Sequence, residues 1–240
     1  MKVLVMGGMH GNELLGVKLV ALLQQSPIKN VDAIIGNPRA VEQSVRFIDT
    51  DLNRSFGMQT EANGSYENTL AAKLTTLAKD YDYVFDFHNT QTPNNNCSFV
   101  GLGSTDGVYN AARALCLTRC IQATYSCINM ATPNTLSIEV SIGDQLDDPA
   151  YWYEQIHAFM NNTLVAVNDL EVYRFSRRVT WEEKVETAIS GWQPFVAISQ
   201  RESDMLNVAS GSVPIFIGSK LTNYYATLLE PINNTYTLAK

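Results

Sequence analysis

The sequence predicts an α/β protein: a mixed, mostly parallel sheet flanked by helices, followed by a small β-rich C-terminal domain. Three observations carry this. Short apolar segments alternate with longer helix-patterned ones over the first two-thirds of the chain, as in βαβ units. From about Val172 the apolar runs become short and strand-like, and helix signals are scarce. The chain has 240 residues, 45% of them hydrophobic, enough for an ordinary core. The expected division is 1–170 for the α/β domain and 171–240 for the β-rich domain.

In order, Lys2–Met6 reads as a short buried strand. Glu13–Gln25, apolar at 14, 15, 17, 19, 20, 22 and 23, suits a helix lying on a sheet. Val31–Ile35 is a strand ending at "GNPRA". Asn68–Lys79 is helical, with Leu70, Leu74 and Leu77 as its stripe. Asp82–Phe87 and Cys97–Leu102 are strands, Gly107–Cys120 a helix, Leu136–Val140 a strand and Pro149–Leu170 a long helix. Beyond these, "VYRF", "FVAIS", "VPIFIG" and "YYATLLEP" read as strands.

A net charge of −7 argues against nucleic-acid or anionic-membrane partners, which want a basic face. It leaves room for an anionic small molecule, since a few focused arginines reverse the field locally. The first strand pattern begins at Lys2, which leaves no space for a signal peptide. No apolar run approaches the ~18 residues of a membrane span. Cys97, Cys116, Cys120 and Cys127 form no C-x-x-C pair and are read as reduced thiols of a cytoplasmic protein. The oligomeric state is open, a homo-oligomer included.

In open α/β sheets ligands bind beyond the carboxyl ends of the strands. The first exit reads "VLVMGGMHGNELLG", with His10 and Glu13 in a glycine-lined turn. The second is followed by Arg39, "DYVFDF" runs into His88, Asn89 and Thr90, and Glu139 lies near the end of "LSIEV". Each exit carries a polar group of a catalytic type, where ordinary loops supply Ser, Asn and Lys at least as often. His157, in the pattern "YEQIHAFMNNTL", reads as a surface or structural residue.

"GGMHGNE" (7–13), "NPRA" (37–40), "IDTDLNRSF" (48–56), "DFHNT" (86–90) and "IEV" (138–140) together resemble the aspartoacylase/succinylglutamate desuccinylase family, in that family's order. "EVYRF" and "VPIFIG…YY" fit its C-terminal segment more loosely. The resemblance implies a zinc-carboxypeptidase-like fold and one Zn²⁺ per chain, held by His10, Glu13 and His88. Two neutral imidazoles and a carboxylate leave the open fourth position that catalytic zinc needs. It implies Glu139 as general base, Arg39 as the oxyanion-stabilising cation, and Asn53 with Arg54 as the grip on a substrate carboxylate. Asp51 would orient Arg54 or cap a turn. Tyr224 would contact substrate, with Tyr225 one register away. Tyr125, Asn94 and Asn95 are placed near the site by position alone.

The expected reaction is removal of an N-acyl group from an N-acyl amino acid, an acidic one of the N-acetylaspartate type. N-succinylglutamate desuccinylation, a carboxypeptidase-like hydrolysis and a non-catalytic metal-binding protein are the alternatives. Aspartate-specific members carry a Tyr and an Arg between the third ligand and the catalytic glutamate, whereas "YSCINMATPNTLSIEV" holds no Arg or Lys.

Overall fold

The computed structural model describes residues 1–57, 64–163, 169–219 and 223–232. The chain opens with β1 (Val3–Gly7), α1 (Leu14–Gln25), β2 (Val31–Ile35), α2 (Pro38–Gln43), α3 (Leu52–Ser55) and α4 (Tyr66–Ala78). It continues through β3 (Tyr83–Thr90), β4 (Cys97–Gly101), α5 (Asp106–Ala114), β5 (Arg119–Ala123), α6 (Ile128–Ala131), β6 (Thr135–Ser141) and α7 (Pro149–Met160). The last elements are β7 (Glu171–Thr180), α8 (Trp181–Glu186), α9 (Gln200–Leu206), β8 (Val213–Ile215) and β9 (Tyr224–Pro231).

Among the described residues the strands form one sheet in the order β2-β1-β3-β6-β4-β5-β7-β9-β8. The pairs β1–β2, β1–β3, β3–β6, β4–β5 and β5–β7 are parallel; β4–β6, β7–β9 and β8–β9 are antiparallel. The expected mixed, mostly parallel sheet is present. From Glu171 onward the chain extends this same sheet, because β7 pairs with β5.

The central strands are apolar on both faces because helices cover both. Val3, Val5, Phe85, Phe87 and Ile138 face Leu15 and Leu19 of α1 and Trp152 and Ile156 of α7. Leu4, Met6 and Val84 point the other way, against Ala71 and Leu74 of α4 and Ile128 of α6. His88 follows Phe87 on β3, so alternation turns it to this second side, where Glu139 is its neighbour in register on β6 and Cys97 the next on β4. Among the described residues no helix is long and apolar enough to cross a membrane.

Several expectations are corrected. The helix expected over Gly107–Cys120 stops at Ala114, because Cys116 takes a left-handed conformation and the chain re-emerges as β5. The long helix stops at Met160, with Asn162 left-handed; the rest of that expectation falls partly on residues 164–168, outside the described residues. "FVAIS" is loop rather than strand, with Phe195 at φ 59°. Helices α8 and α9 stand where few were expected. Each starts with a capping box, Thr180/Glu183 and Ser199/Glu202, which satisfies the first backbone donors of a short helix.

Candidate functional site

The turn after β1 is built for close approach. Gly8 has φ 67°, which an L side chain rarely adopts. A Cβ on Gly11 would lie 2.0 Å from the Ala40 carbonyl carbon, so α2 packs directly on the backbone. The Glu13 N–H donates to the His10 carbonyl at 3.1 Å, which closes the turn and sets both side chains. Asn89 then fixes this turn to the sheet. Its Oδ1 accepts from Leu15 N at 2.8 Å at the start of α1, and its Nδ2 donates to Val140 O and Asp147 Oδ1.

His10, Glu13 and His88 are buried and meet. Glu13 sits between the imidazoles, with His10 Nδ1 2.7 Å from Oε1 and His88 Nδ1 2.8 Å from Oε2. One donor atom from each of the three lies within 4.8 Å of the others. The far nitrogens are held by carboxylates: His10 Nε2 lies 3.1 Å from Asp51 Oδ1, and His88 Nε2 2.8 Å from Asp86 Oδ2. A carboxylate on the outer nitrogen fixes the tautomer, so that the inner lone pair is presented to an ion and the ring's basicity rises. Asp86 is fully buried and its other oxygen has no hydrogen-bond partner among the described residues. This donor set fits a divalent metal such as zinc, with room for a fourth ligand.

Burial would raise the Glu13 carboxyl, but the facing His10 and His88 outweigh it and hold Glu13 far below the usual carboxylate range. His10 and His88 are raised in turn: burial opposes their protonation, and Glu13, Asp51 and Asp86 overcome it.

Glu139 borders this cluster and lines the same cleft. Among the described residues its carboxylate makes no hydrogen bond or ion pair. Desolvation by the surrounding protein pushes its carboxyl up to about 7, even against the pull of His88. A carboxyl poised near neutrality in a cleft has the properties of a general base.

Asn53, Arg54 and Tyr224 also line the cleft, as does Tyr125. Arg54 lies over the Tyr125 ring, 4.6 Å from its centroid, and Asn53 accepts from Ile128 N at 3.3 Å. Tyr225 points away and packs in a separate apolar cluster with Val179 and Leu228. Asn94 and Asn95 are not among the described lining residues.

Arg39 is not brought to the cleft. It lies exposed on α2, stacked on Tyr66 with its guanidinium 4.6 Å from the ring centroid. Arg46 instead reaches the cleft beside Glu13 and His10. Its Nε and Nη2 donate to Asp51 Oδ2 at 3.2 and 3.0 Å, and its Nη1 lies 3.5 Å from Glu13 Oε1. Asp51 therefore aligns His10 and Arg46, rather than Arg54, and caps α3 through Asn53 N. The α2 helix starts immediately at Pro38 and carries Arg39 outward, which the strand-exit rule does not anticipate.

The loop bearing Arg46 and Asp51, which leads into α3 with Asn53 and Arg54, is anchored by Glu67, a fully buried residue of α4. Its carboxylate accepts from Ile48 N, Asp49 N, Thr50 N and Asn37 Nδ2 at 2.7 to 3.2 Å. Burial would raise this carboxyl, but the hydrogen bonds prevail and lower it from 4.5. Its contribution to stability is therefore complete above pH 4.5 and is lost as pH falls through the folded value. Glu67→Gln is expected to cost about 1–3 kcal/mol at neutral pH, read by urea unfolding. The difference from the parent should shrink in acid; a constant difference would show that the charge is not what holds the loop.

Asp86, Arg46 and Glu67 escaped the sequence reading. Asp86 was findable, since an acid two positions before His88 on a strand shares its face. Arg46 and Glu67 have only the loop path to recommend them, and that path is set by tertiary hydrogen bonds.

The profile described as succinylglutamate desuccinylase/aspartoacylase catalytic domain matches residues 1–142. An N-acyl-aromatic-L-amino acid amidohydrolase (carboxylate-forming) of Xenopus tropicalis is 33% identical over 141 residues, 52% of this chain and 45% of that protein. Aspartoacylase of Mus musculus is 38% identical over 116 residues, 41% of this chain and 37% of the relative. The matches thus span less than half the length of these curated relatives. Two crystal structures share the fold. Succinylglutamate desuccinylase from Chromobacterium violaceum has a TM-score of 0.73 at 14% identity, covering 97% of this chain and 85% of the other. Murine aminoacylase 3 has a TM-score of 0.69 at 19% identity, covering 97% and 95%. The profile covers more than half of the chain and includes the two imidazoles, Glu13 and Glu139. The chain belongs to the succinylglutamate desuccinylase/aspartoacylase family.

Proposed function

We propose that this protein is a zinc-dependent amidohydrolase that removes the acyl group from an N-acyl amino acid. The observation that carries the reading is the convergence of His10, Glu13 and His88 beside an unpaired Glu139 in a cleft that also holds Arg46 and Arg54.

His10, Glu13 and His88 would hold one zinc ion. When bound, it supplies a water of lowered pKa, ~7, and polarises the acyl carbonyl. Glu139 accepts the proton of the attacking water as the water oxygen bonds to the carbonyl carbon. It then delivers that proton to the amide nitrogen as the C–N bond breaks, so that the products are a carboxylate and a free amino acid. Arg46 takes the role first given to Arg39. Held by Asp51 beside Glu13, it would stabilise the negative charge that the carbonyl oxygen gains. Arg54, with Asn53, holds the substrate carboxylate through the fixed fork of a guanidinium, and Tyr224 closes the wall opposite.

The division at about residue 170 becomes one of labour: 1–170 carries the chemistry, and 171–240 supplies a wall through Phe175, Ile215, Tyr224 and Thr227. A cytoplasmic setting is supported by four free thiols, of which Cys97, Cys120 and Cys127 are buried.

Arg46→Ala is expected to lower kcat by about a hundredfold to a thousandfold, the usual cost of losing one oxyanion donor. Arg39→Ala should change kcat by less than about twofold, as exposed positions away from a site do. Steady-state kinetics on N-acetyl amino acids decides; equal losses in the two variants would return the role to Arg39.

A further inference from the structure

The cleft holds two guanidinium groups with no acidic partner among the described residues. Arg46 is neutralised by Asp51 and Glu13. Arg54 makes no ion pair: Asp51, which feels its charge, is engaged by Arg46, while Arg54 Nη1 donates to Asn53 O at 3.2 Å and its face lies on Tyr125. Arg178 comes from the opposite wall, on β7. Its guanidinium carbon is 4.7 Å from the Tyr224 ring centroid and 5.8 Å from those of Tyr125 and Phe175. Tyr125 is shared, with Arg54 at 4.6 Å from the same centroid, so one small substrate can bridge both cations. Stacking occupies the face of a guanidinium and leaves the N–H donors at its edge for an anion. In a chain of net charge −7, two cations outside any ion pair among the described residues form a local anion site in one cleft.

The fold brings Arg178 there by an irregularity. On a regular strand Phe175 and Arg178 would face opposite sides. The β7–β9 register shifts between Phe175 and Arg177, which places Phe175 opposite Leu229 and Arg178 opposite Thr227. Leu229 and Thr227 are two apart and share a face, so the bulge aims both Phe175 and Arg178 at the cleft, as bulges beside binding sites do. Arg177 is turned to the other side, where it donates to Leu206 O and pairs with Glu183. The segment 125–140 before the general base contains no Lys or Arg. Its cleft-lining Asn129 is committed to the carbonyls of Phe99 and Thr135 and to Ser137.

We propose that Arg178 is a specificity-determining residue that binds a second carboxylate of the substrate while Arg54 holds the first. The inference rests on the N-acyl amino acid reading. The second carboxylate comes either from an acidic amino-acid side chain or from a dicarboxylic acyl chain, and the guanidinium chemistry is the same for both.

The test is calorimetric binding to the full chain, loaded with zinc and carrying Glu139→Gln to prevent turnover. N-acetylaspartate, N-succinylalanine and N-acetylleucine are compared with Arg178 intact, Arg178→Leu and Arg178→Lys. The preference for a dicarboxylate over N-acetylleucine should fall about tenfold to a hundredfold in Arg178→Leu and be partly restored by Arg178→Lys. Whichever dicarboxylate shows the fall identifies the source of the second carboxylate. Equal weakening of all three ligands, or no change in preference, overturns the proposal and leaves the N-acyl amino acid reading standing. Failure of all three to bind when Arg178 is intact overturns that reading, and the proposal with it. The Arg178→Lys arm keeps the charge, so the comparison holds even where the leucine variant folds poorly.

Discussion

Replacing Glu139 by glutamine is expected to lower kcat by about a hundredfold to ten-thousandfold, the range for loss of a positioned general base. Metal content should stay near that of the parent, because Glu139 contributes no atom to the His10–Glu13–His88 cluster. The two readouts separate chemistry from metal binding. The pH profile adds a third. A base must be ionised to work, and burial has moved the Glu139 carboxyl up to about 7. The parent's kcat/KM should therefore fall as pH drops through about 7, and the residual rate of Glu139→Gln should lack that limb. Steady-state kinetics across pH checks both; an unchanged kcat would remove Glu139 from the mechanism.

His88→Ala should instead lose the metal. Outer partners of a metal-bound histidine are worth roughly 10- to 100-fold in affinity, and loss of a direct ligand should exceed that. The substitution also leaves Asp86 a fully buried carboxylate without the imidazole that it holds, so some loss of thermal stability should accompany it. Metal analysis after dialysis, with a thermal melt as control for folding, gives the answer. A folded His88→Ala protein that retains a full complement of zinc would disprove the ligand assignment.

The meeting of His10, Glu13 and His88 was legible in the sequence for a simple reason. Strands β1, β3 and β6 are parallel neighbours, so residues at their carboxyl ends converge, and "HGNE", "DFH" and "IEV" are such ends. The register sets His88 beside Glu139, which brings the third exit to the same place. The arginines were harder. Arg39 satisfies the strand-exit rule, but Pro38 starts a helix at once and directs it outward. Arg46 enters because Glu67 gathers three successive backbone amides of a loop, and no local pattern announces a contact between α4 and that loop. Arg178 depends on a bulge that shifts its face, and period-2 reading places it opposite Phe175. In the fold, the start of β5 was hidden at the end of what reads as a helix to Cys120, because only the backbone turn at Cys116 marks the break. Helices α8 and α9 were not expected: Thr180-x-x-Glu183 and Ser199-x-x-Glu202 are capping boxes, but the short apolar runs around them read as strands.

The proposed activity of this cleft is hydrolysis of the amide of an N-acyl amino acid with the help of a bound metal. The most direct measurement is release of free amino acid from a panel of N-acetylaspartate, N-acetylglutamate, N-succinylglutamate, N-acetylphenylalanine and short peptides. It is run on the zinc-loaded protein, on the chelated protein, and after zinc is restored. The account predicts turnover of at least one N-acyl amino acid, its loss on chelation and its return with zinc. A zinc-loaded, folded protein that turns over none of the N-acyl amino acids, or one whose turnover survives complete removal of the metal, would contradict it.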